Sequence, residues 1–172
     1  TAILVNNAIP VFCDIDPQTY CMSPASLKKK ITSRTKAIMP VHIYGHPAQM
    51  DTIMSIARKH NLVVIEDAAQ SPGITYKGKY TGTIGHMGVA SLNCHKIIQT
   101  GEGGVVTTDQ PEYAKRLQLI RNHAEAVIAT GMKVNTLVNM VGWNYRMNEI
   151  EAAIAREQLK KLKKLLGERR KL

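Results

Sequence analysis

Short apolar runs of strand length alternate along this chain with stretches whose apolar positions recur at helical spacing. At residues 9–16 (IPVFCDID) a short apolar run ends in acidic turn residues, which predicts a strand. Ser23-Pro24 then offers an N-cap with Pro at the first helical position, before a helix over 25–31. A second apolar run of strand length covers 36–41 and is punctuated by Gly45 and Pro47. Residues 50–60 carry Ile53, Met54, Ile56 and Ala57 at helical spacing, and Asn61 breaks the pattern. Residues 62–65 (LVVI) have no polar alternation, as expected of a strand buried on both faces. After Glu66-Asp67 the chain becomes glycine-rich and loop-like, with two further short strands at 89–92 and 105–108. A helix follows over 111–123, capped by Asp109, then a stretch without clear periodicity over 124–142. Asn148 caps a last helix from 149 to about 166. Strands alternating with helices at this spacing predict βαβ units and a mostly parallel sheet. Such sheets place ligands at the carboxyl ends of their strands.

Composition narrows the picture. With 44% hydrophobic and 21% charged residues, the 172-residue chain is neither a disordered polar chain nor a membrane protein. No apolar run approaches the roughly 20 residues a membrane helix needs. The net charge of +10 invites a nucleic-acid reading. However, residues 155–172 hold eight Lys or Arg against two Asp or Glu, so most of the excess lies in the last helix. Aromatic residues are scarce at 5%, and no nucleic-acid recognition motif occurs. Three cysteines without a CxxC pair argue against a disulfide framework and a thiolate zinc site, and favour a reducing, cytoplasmic setting. The chain starts at Thr1 and stops inside a Lys/Leu-rich pattern, so a fragment cut at both ends is expected.

Four constellations could carry chemistry. Glu66-Asp67-Ala68-Ala69-Gln70 delivers two carboxylates to the carboxyl end of a buried strand, where Asp67 could face a cationic ligand group or simply cap the next turn. Ser91 to Lys96 is followed by Gly101-Glu102-Gly103-Gly104. A Lys between a strand and a Gly-rich return is partly desolvated, which favours the uncharged, nucleophilic amine, whereas a solvated loop Lys is the bland alternative. Neither a P-loop nor a Rossmann fingerprint is present. His42 and His46 have metal-pair spacing only on a continuous helix, and Gly45 and Pro47 break one; a strand end lining a pocket is the better reading. Cys94 and His95 are adjacent and point to opposite faces of an extended segment, so they make no dyad. Gly142 to Met147 (GWNYRM) offers an amide, two aromatics and an Arg before a helix, either for polar ligand contacts or as a staple and cap.

In order, the blocks PVFCDIDPQTY, TKAIMPVHIYGHP, VIEDAAQSPG, YKGKYTGTIG, SLNCHK, TGEGGVVTTD, RNHA and GWNYRMNEIEAA resemble the DegT/DnrJ/EryC1/StrS sugar aminotransferases, closest to perosamine synthase-like members. The resemblance covers nearly the whole chain. It implies an α/β, three-layer fold with a mostly parallel mixed sheet, the large domain of fold-type-I enzymes dependent on pyridoxal 5'-phosphate (PLP). It places residues 1–148 in the central part of that domain and 149–172 in a helix leading toward a small C-terminal domain. Lys96 matches the Schiff-base lysine; some relatives have His there and act as dehydratases, and here His95 is one place off. Asp67 matches the partner of the pyridine nitrogen, Gln70 a contact near the ring oxygen and Ser91 a phosphate contact. Asn144 matches a phosphate contact from the neighbouring subunit of a homodimer with shared active sites. Ala90 and Leu92 stand where the family often has Phe. The implied reaction moves an amino group from an amino acid, by resemblance glutamate, to a nucleotide-linked keto-deoxy sugar in glycan precursor synthesis, without metal, nucleic acid or membrane. The alternative is a non-catalytic remnant of the same fold.

Overall fold

In the computed structural model, residues 1–125 and 140–171 are described. Ser23 accepts a hydrogen bond from the Ser26 amide and Pro24 takes the first turn, so α1 (Pro24–Lys30) starts where the sequence predicts. Strand β1 (Ala37–Ile38) is shorter than the 36–41 run. Pro40 lacks the N–H a ladder needs, and pairing resumes only at Val41, bridged to Asp67. Helix α2 (Met50–His60) keeps its predicted span, and Asn61, at φ 52°, ends it in the left-handed conformation. Strand β2 (Val63–Asp67) follows.

A hairpin of β3 (Thr75–Tyr76) and β4 (Lys79–Tyr80) occupies part of the stretch predicted as loop. Its two turn residues, Lys77 (φ 48°) and Gly78 (φ 82°), both take the positive φ of a tight hairpin turn. Strands β5 (Met87–Ser91) and β6 (Gly104–Thr107) and helix α3 (Pro111–Arg121) come next. The predicted Asp109 cap is corrected: Gln110 is the N-cap, without a side-chain hydrogen bond. Most of the aperiodic stretch at 124–142 lies outside the described residues. Helix α4 (Glu149–Arg169) opens with a capping box between Asn148 and Glu151.

The main sheet runs β1-β2-β5-β6, with β1–β2 and β2–β5 parallel and β5–β6 antiparallel. The mostly parallel mixed sheet is thus as expected. Residues 9–16 form no strand. Only Ile15 makes a bridge, to Met22, while Ile9, Val11 and Phe12 are exposed. An apolar run becomes a strand only where a neighbour completes its hydrogen bonds, and among the described residues Cys21 and Ser23 do so only at the end of the run, at Asp16 and Asp14.

The core lies between α1, α2 and one face of the sheet. Met50, Ile53, Ile56 and Ala57 of α2 pack with Leu27, Ile38, Leu62 and Val64. Ile53 alone contributes roughly 1.5–3 kcal/mol by leaving water. The two faces of β2 are unequal, correcting the expectation of burial on both: Val64 and Glu66 are buried, whereas Val63, Ile65 and Asp67 are half-buried. The second half of α4 divides into a lysine face and a leucine face. Leu162 and Leu166 pack at Gly73, and Lys160, Lys161, Lys163 and Lys164 are exposed. Leu159, in the same half, is exposed.

Candidate functional site

The parallel pairing of β2 with β5 brings two of the predicted residues, Asp67 and Ser91, to one end of the sheet. Asp67, the last residue of β2, is the register partner of Val89 on β5. Ser91 lies two residues further along β5, about 6.6 Å at the rise of a strand. Both therefore stand at the carboxyl end of the sheet.

Each is held by the backbone around it. The Asp67 amide donates to Pro40 O at 2.9 Å, and Asp67 O accepts from the His42 amide at 3.0 Å. One carboxylate oxygen, Oδ1, accepts from the Ala69 amide at 3.0 Å. Among the described residues nothing donates to its Oδ2. Ser91 Oγ accepts from the Asn93 amide at 3.2 Å, which leaves its hydroxyl hydrogen to point elsewhere.

Lys96 sits in the loop that joins β5 to β6. The loop is drawn shut by Leu92 N to Gly103 O and Thr100 N to Leu92 O, each 2.9 Å, and Lys96 N donates to Asn93 O at 2.9 Å. The Gly-rich return has a physical reason. Gly103 has φ 150°, and a Cβ there would lie 2.8 Å from Thr100 Oγ1 and 3.1 Å from Met147 Cε. Lys96 itself is half-buried and has no ion-pair partner among the described residues.

Gln70 lies in the loop after β2. Its Oε1 accepts from the Tyr44 amide at 2.8 Å. That bond fixes the amide orientation, so both N–H donors of Nε2 face away from Tyr44. Tyr44 adopts φ 51°, a conformation costly for a non-glycine residue, to present its N–H in this way.

Asn144 is placed differently. It bridges Asn122, and its Oδ1 accepts from Arg146 Nε at 2.9 Å, while Arg146 Nη1 donates to Asn122 Oδ1 at 3.1 Å. No described hydrogen bond links it to Asp67, Ser91 or Lys96. Trp143 and Tyr145 stack with ring centroids 6.2 Å apart and are exposed, so neither is a staple for α4. Met147 packs at Gly103 and thus sets the segment against the Lys96 loop.

The adjacent carboxylates Glu66 and Asp67 divide their tasks, because successive strand residues point to opposite faces. Glu66 is fully buried. It accepts four hydrogen bonds: from His42 Nε2 (2.9 Å), Gly82 N (2.8 Å), Ile84 N (2.6 Å) and Gly85 N (2.5 Å). Burial pushes its carboxyl upward, but the bonds from His42, Gly85, Gly82 and Ile84 outweigh burial and hold it below the usual carboxylate range. The other ring nitrogen of His42, Nδ1, accepts from the Ala48 amide at 3.1 Å. Both ring nitrogens are therefore engaged within the protein, and His46 is exposed. Sequence reasoning named Glu66 and His42 without this partnership. The available signal was the period-two placement of Glu66 beside Asp67, just ahead of a Gly-rich loop able to offer its amides.

Comparison with known proteins adds an independent line. The profile of the DegT/DnrJ/EryC1/StrS aminotransferase family matches residues 1–172. GDP-perosamine synthase of Caulobacter vibrioides is 44% identical over 167 residues, covering 96% of this chain and 43% of that protein. The crystal structure of an aminotransferase from Psychrobacter cryohalolentis superposes with a TM-score of 0.83 at 42% identity, covering 92% of this chain and 42% of that one. NtdA of Bacillus subtilis, solved with bound cofactor PMP, superposes at 0.81 with 36% identity, covering 94% and 35%. The chain thus spans less than half the length of these proteins.

Proposed function

The chain belongs to the DegT/DnrJ/EryC1/StrS aminotransferase family, and from that premise we propose that it is the lysine-bearing part of a PLP-dependent sugar-nucleotide aminotransferase. In this reading residues 1–148 are the central part of the cofactor-binding large domain, and 149–172 lead toward a small C-terminal domain. The observation that carries it is the convergence of Asp67 and Ser91 on the carboxyl ends of neighbouring parallel strands, with Lys96 in the loop that follows.

The donor set fits PLP. Among the described residues, a carboxylate with a free oxygen, an unpaired amine, a hydroxyl with a free hydrogen and an amide with both N–H groups free are suitable partners for a ring nitrogen, an aldehyde, a phosphate and a ring oxygen. When bound, PLP supplies an electron sink that takes up charge from the substrate carbon losing its proton. Asp67 would keep a proton on the ring nitrogen through its Oδ2. The Nζ of Lys96 would hold the cofactor covalently and, once released, take the proton from the amino-acid Cα and deliver it as general base and acid. Ser91 would donate to the phosphate and Gln70 Nε2 to the ring oxygen. Asn144, distant in hydrogen bonding from the others, suits the role of a phosphate contact given to the neighbouring subunit of a homodimer.

The acceptor in this reading is a nucleotide-linked 4-keto-6-deoxy sugar, and the donor is glutamate. The similarity to GDP-perosamine synthase supports that class. Among the described residues no helix is long and apolar enough to cross a membrane, which is compatible with a cytoplasmic enzyme of glycan precursor synthesis. The test is an assay of the full-length protein with PLP, glutamate and a panel of keto-sugar nucleotides. Formation of 2-oxoglutarate with one of them, abolished in Lys96→Ala, is the expected outcome. Turnover retained in Lys96→Ala would overturn the reading.

A further inference from the structure

On the face of β2 opposite Asp67, His42 and Glu66 form a closed hub, both fully buried. Because the Ala48 amide donates to His42 Nδ1, the single proton of the neutral ring sits on Nε2 and points at Glu66. The backbone of His42 meanwhile donates to Asp67 O. One residue therefore grips Glu66 through its ring and Asp67 through its main chain. Fixing the Glu66 side chain on one face fixes the peptide from which Asp67 departs on the other.

The hub reaches β5 as well. The loop amides held by Glu66 begin at Gly82, whose carbonyl accepts from Thr107 Oγ1 at 2.5 Å. Gly82 also lies so close to Gly88 that a Cβ on Gly88 would meet its backbone. Gly88 is three residues before Ser91 on the same strand. The strands bearing Asp67 and Ser91 are thus tied through one buried carboxylate. Apolar side chains of similar volume could seal this face without burying a charge, so packing alone does not account for the hub.

We propose that His42 and Glu66 are positioning residues for Asp67, setting the height and direction of its carboxylate toward a pyridine nitrogen without touching the cofactor themselves. The proposal rests on the cofactor role given to Asp67 above. It is tested on the full-length apoprotein with pyridoxamine phosphate (PMP) as probe, which binds without a bond to Lys96. Calorimetric titrations well below the unfolding temperature compare wild type, Asp67→Asn, His42→Phe and Ile53→Val. The last variant lowers stability in the core without touching the hub.

The expected result is a PMP Kd raised about tenfold in His42→Phe, with Ile53→Val at the wild-type value. A wild-type Kd in His42→Phe, with Asp67→Asn weakened, overturns the proposal and leaves the reading of Asp67 standing. An unchanged Kd in Asp67→Asn removes that reading and the proposal with it. Should His42→Phe not fold, hydrogen exchange of the unsubstituted protein decides. Coupling is reciprocal, so PMP must raise protection at the Gly82, Ile84 and Gly85 amides more than in α3. An equal gain in both overturns the proposal.

Discussion

A methyl group at Gly88 is the smallest change with a severe expected effect. Its Cβ would come within 1.9 Å of Gly82 O and 2.4 Å of Gly82 Cα, and backbone cannot swing aside as a flexible side chain can. Gly88→Ala should therefore destabilise by more than about 3 kcal/mol, beyond ordinary overpacking, as read by urea unfolding. Glu66 sets a second expectation. Its carboxyl is held below its ordinary range in the fold. Its contribution is therefore complete above the unfolded-state value and is lost as pH falls from about 4 through the folded value. Glu66→Gln cannot accept from all four donors. It should melt lower than wild type at about pH 7, with the gap narrowing toward about pH 3. A gap independent of pH would contradict the assignment. At this scale the sequence was legible for types and order. Asp67, Ser91 and Lys96 could be named, and the strand register brings the first two together. The bonds of Glu66 were not legible, because they join amides sixteen to nineteen residues away in a loop without periodicity.

Elements were legible where local chemistry decides them. The Ser23 cap with Pro24, the left-handed Asn61 and the Asn148–Glu151 capping box each satisfy backbone groups within a few residues. Where a distant partner decides, the reading failed. Residues 9–16 have strand composition but no ladder, and Thr75 to Tyr80 form a hairpin without an alternating apolar face. Helix α4 has no fully buried residue, so its start depends on its cap more than on packing. Asn148→Ala should cost about 1 kcal/mol and fray the first turn, seen as faster amide exchange at Glu151. Exchange left unchanged there would argue that packing of Met147 at Gly103 holds the turn instead.

Across the whole molecule, the net charge and the exposed apolar surface belong to the same picture. The lysines that dominate the charge line the outer face of α4, and exposed Ile9, Val11 and Phe12 precede the core. The chain spans less than half the length of its relatives. The fold as described is one side of a sheet packed on two helices, with the Asp67 face half-buried. Under the proposed function this face receives PLP and Lys96 binds it. The most direct measurement loads the full-length protein with PLP, reduces it with borohydride and maps the modified peptide by mass spectrometry. One phosphopyridoxyl group, on Lys96, is the expected result. A label on another lysine, or none, would contradict it.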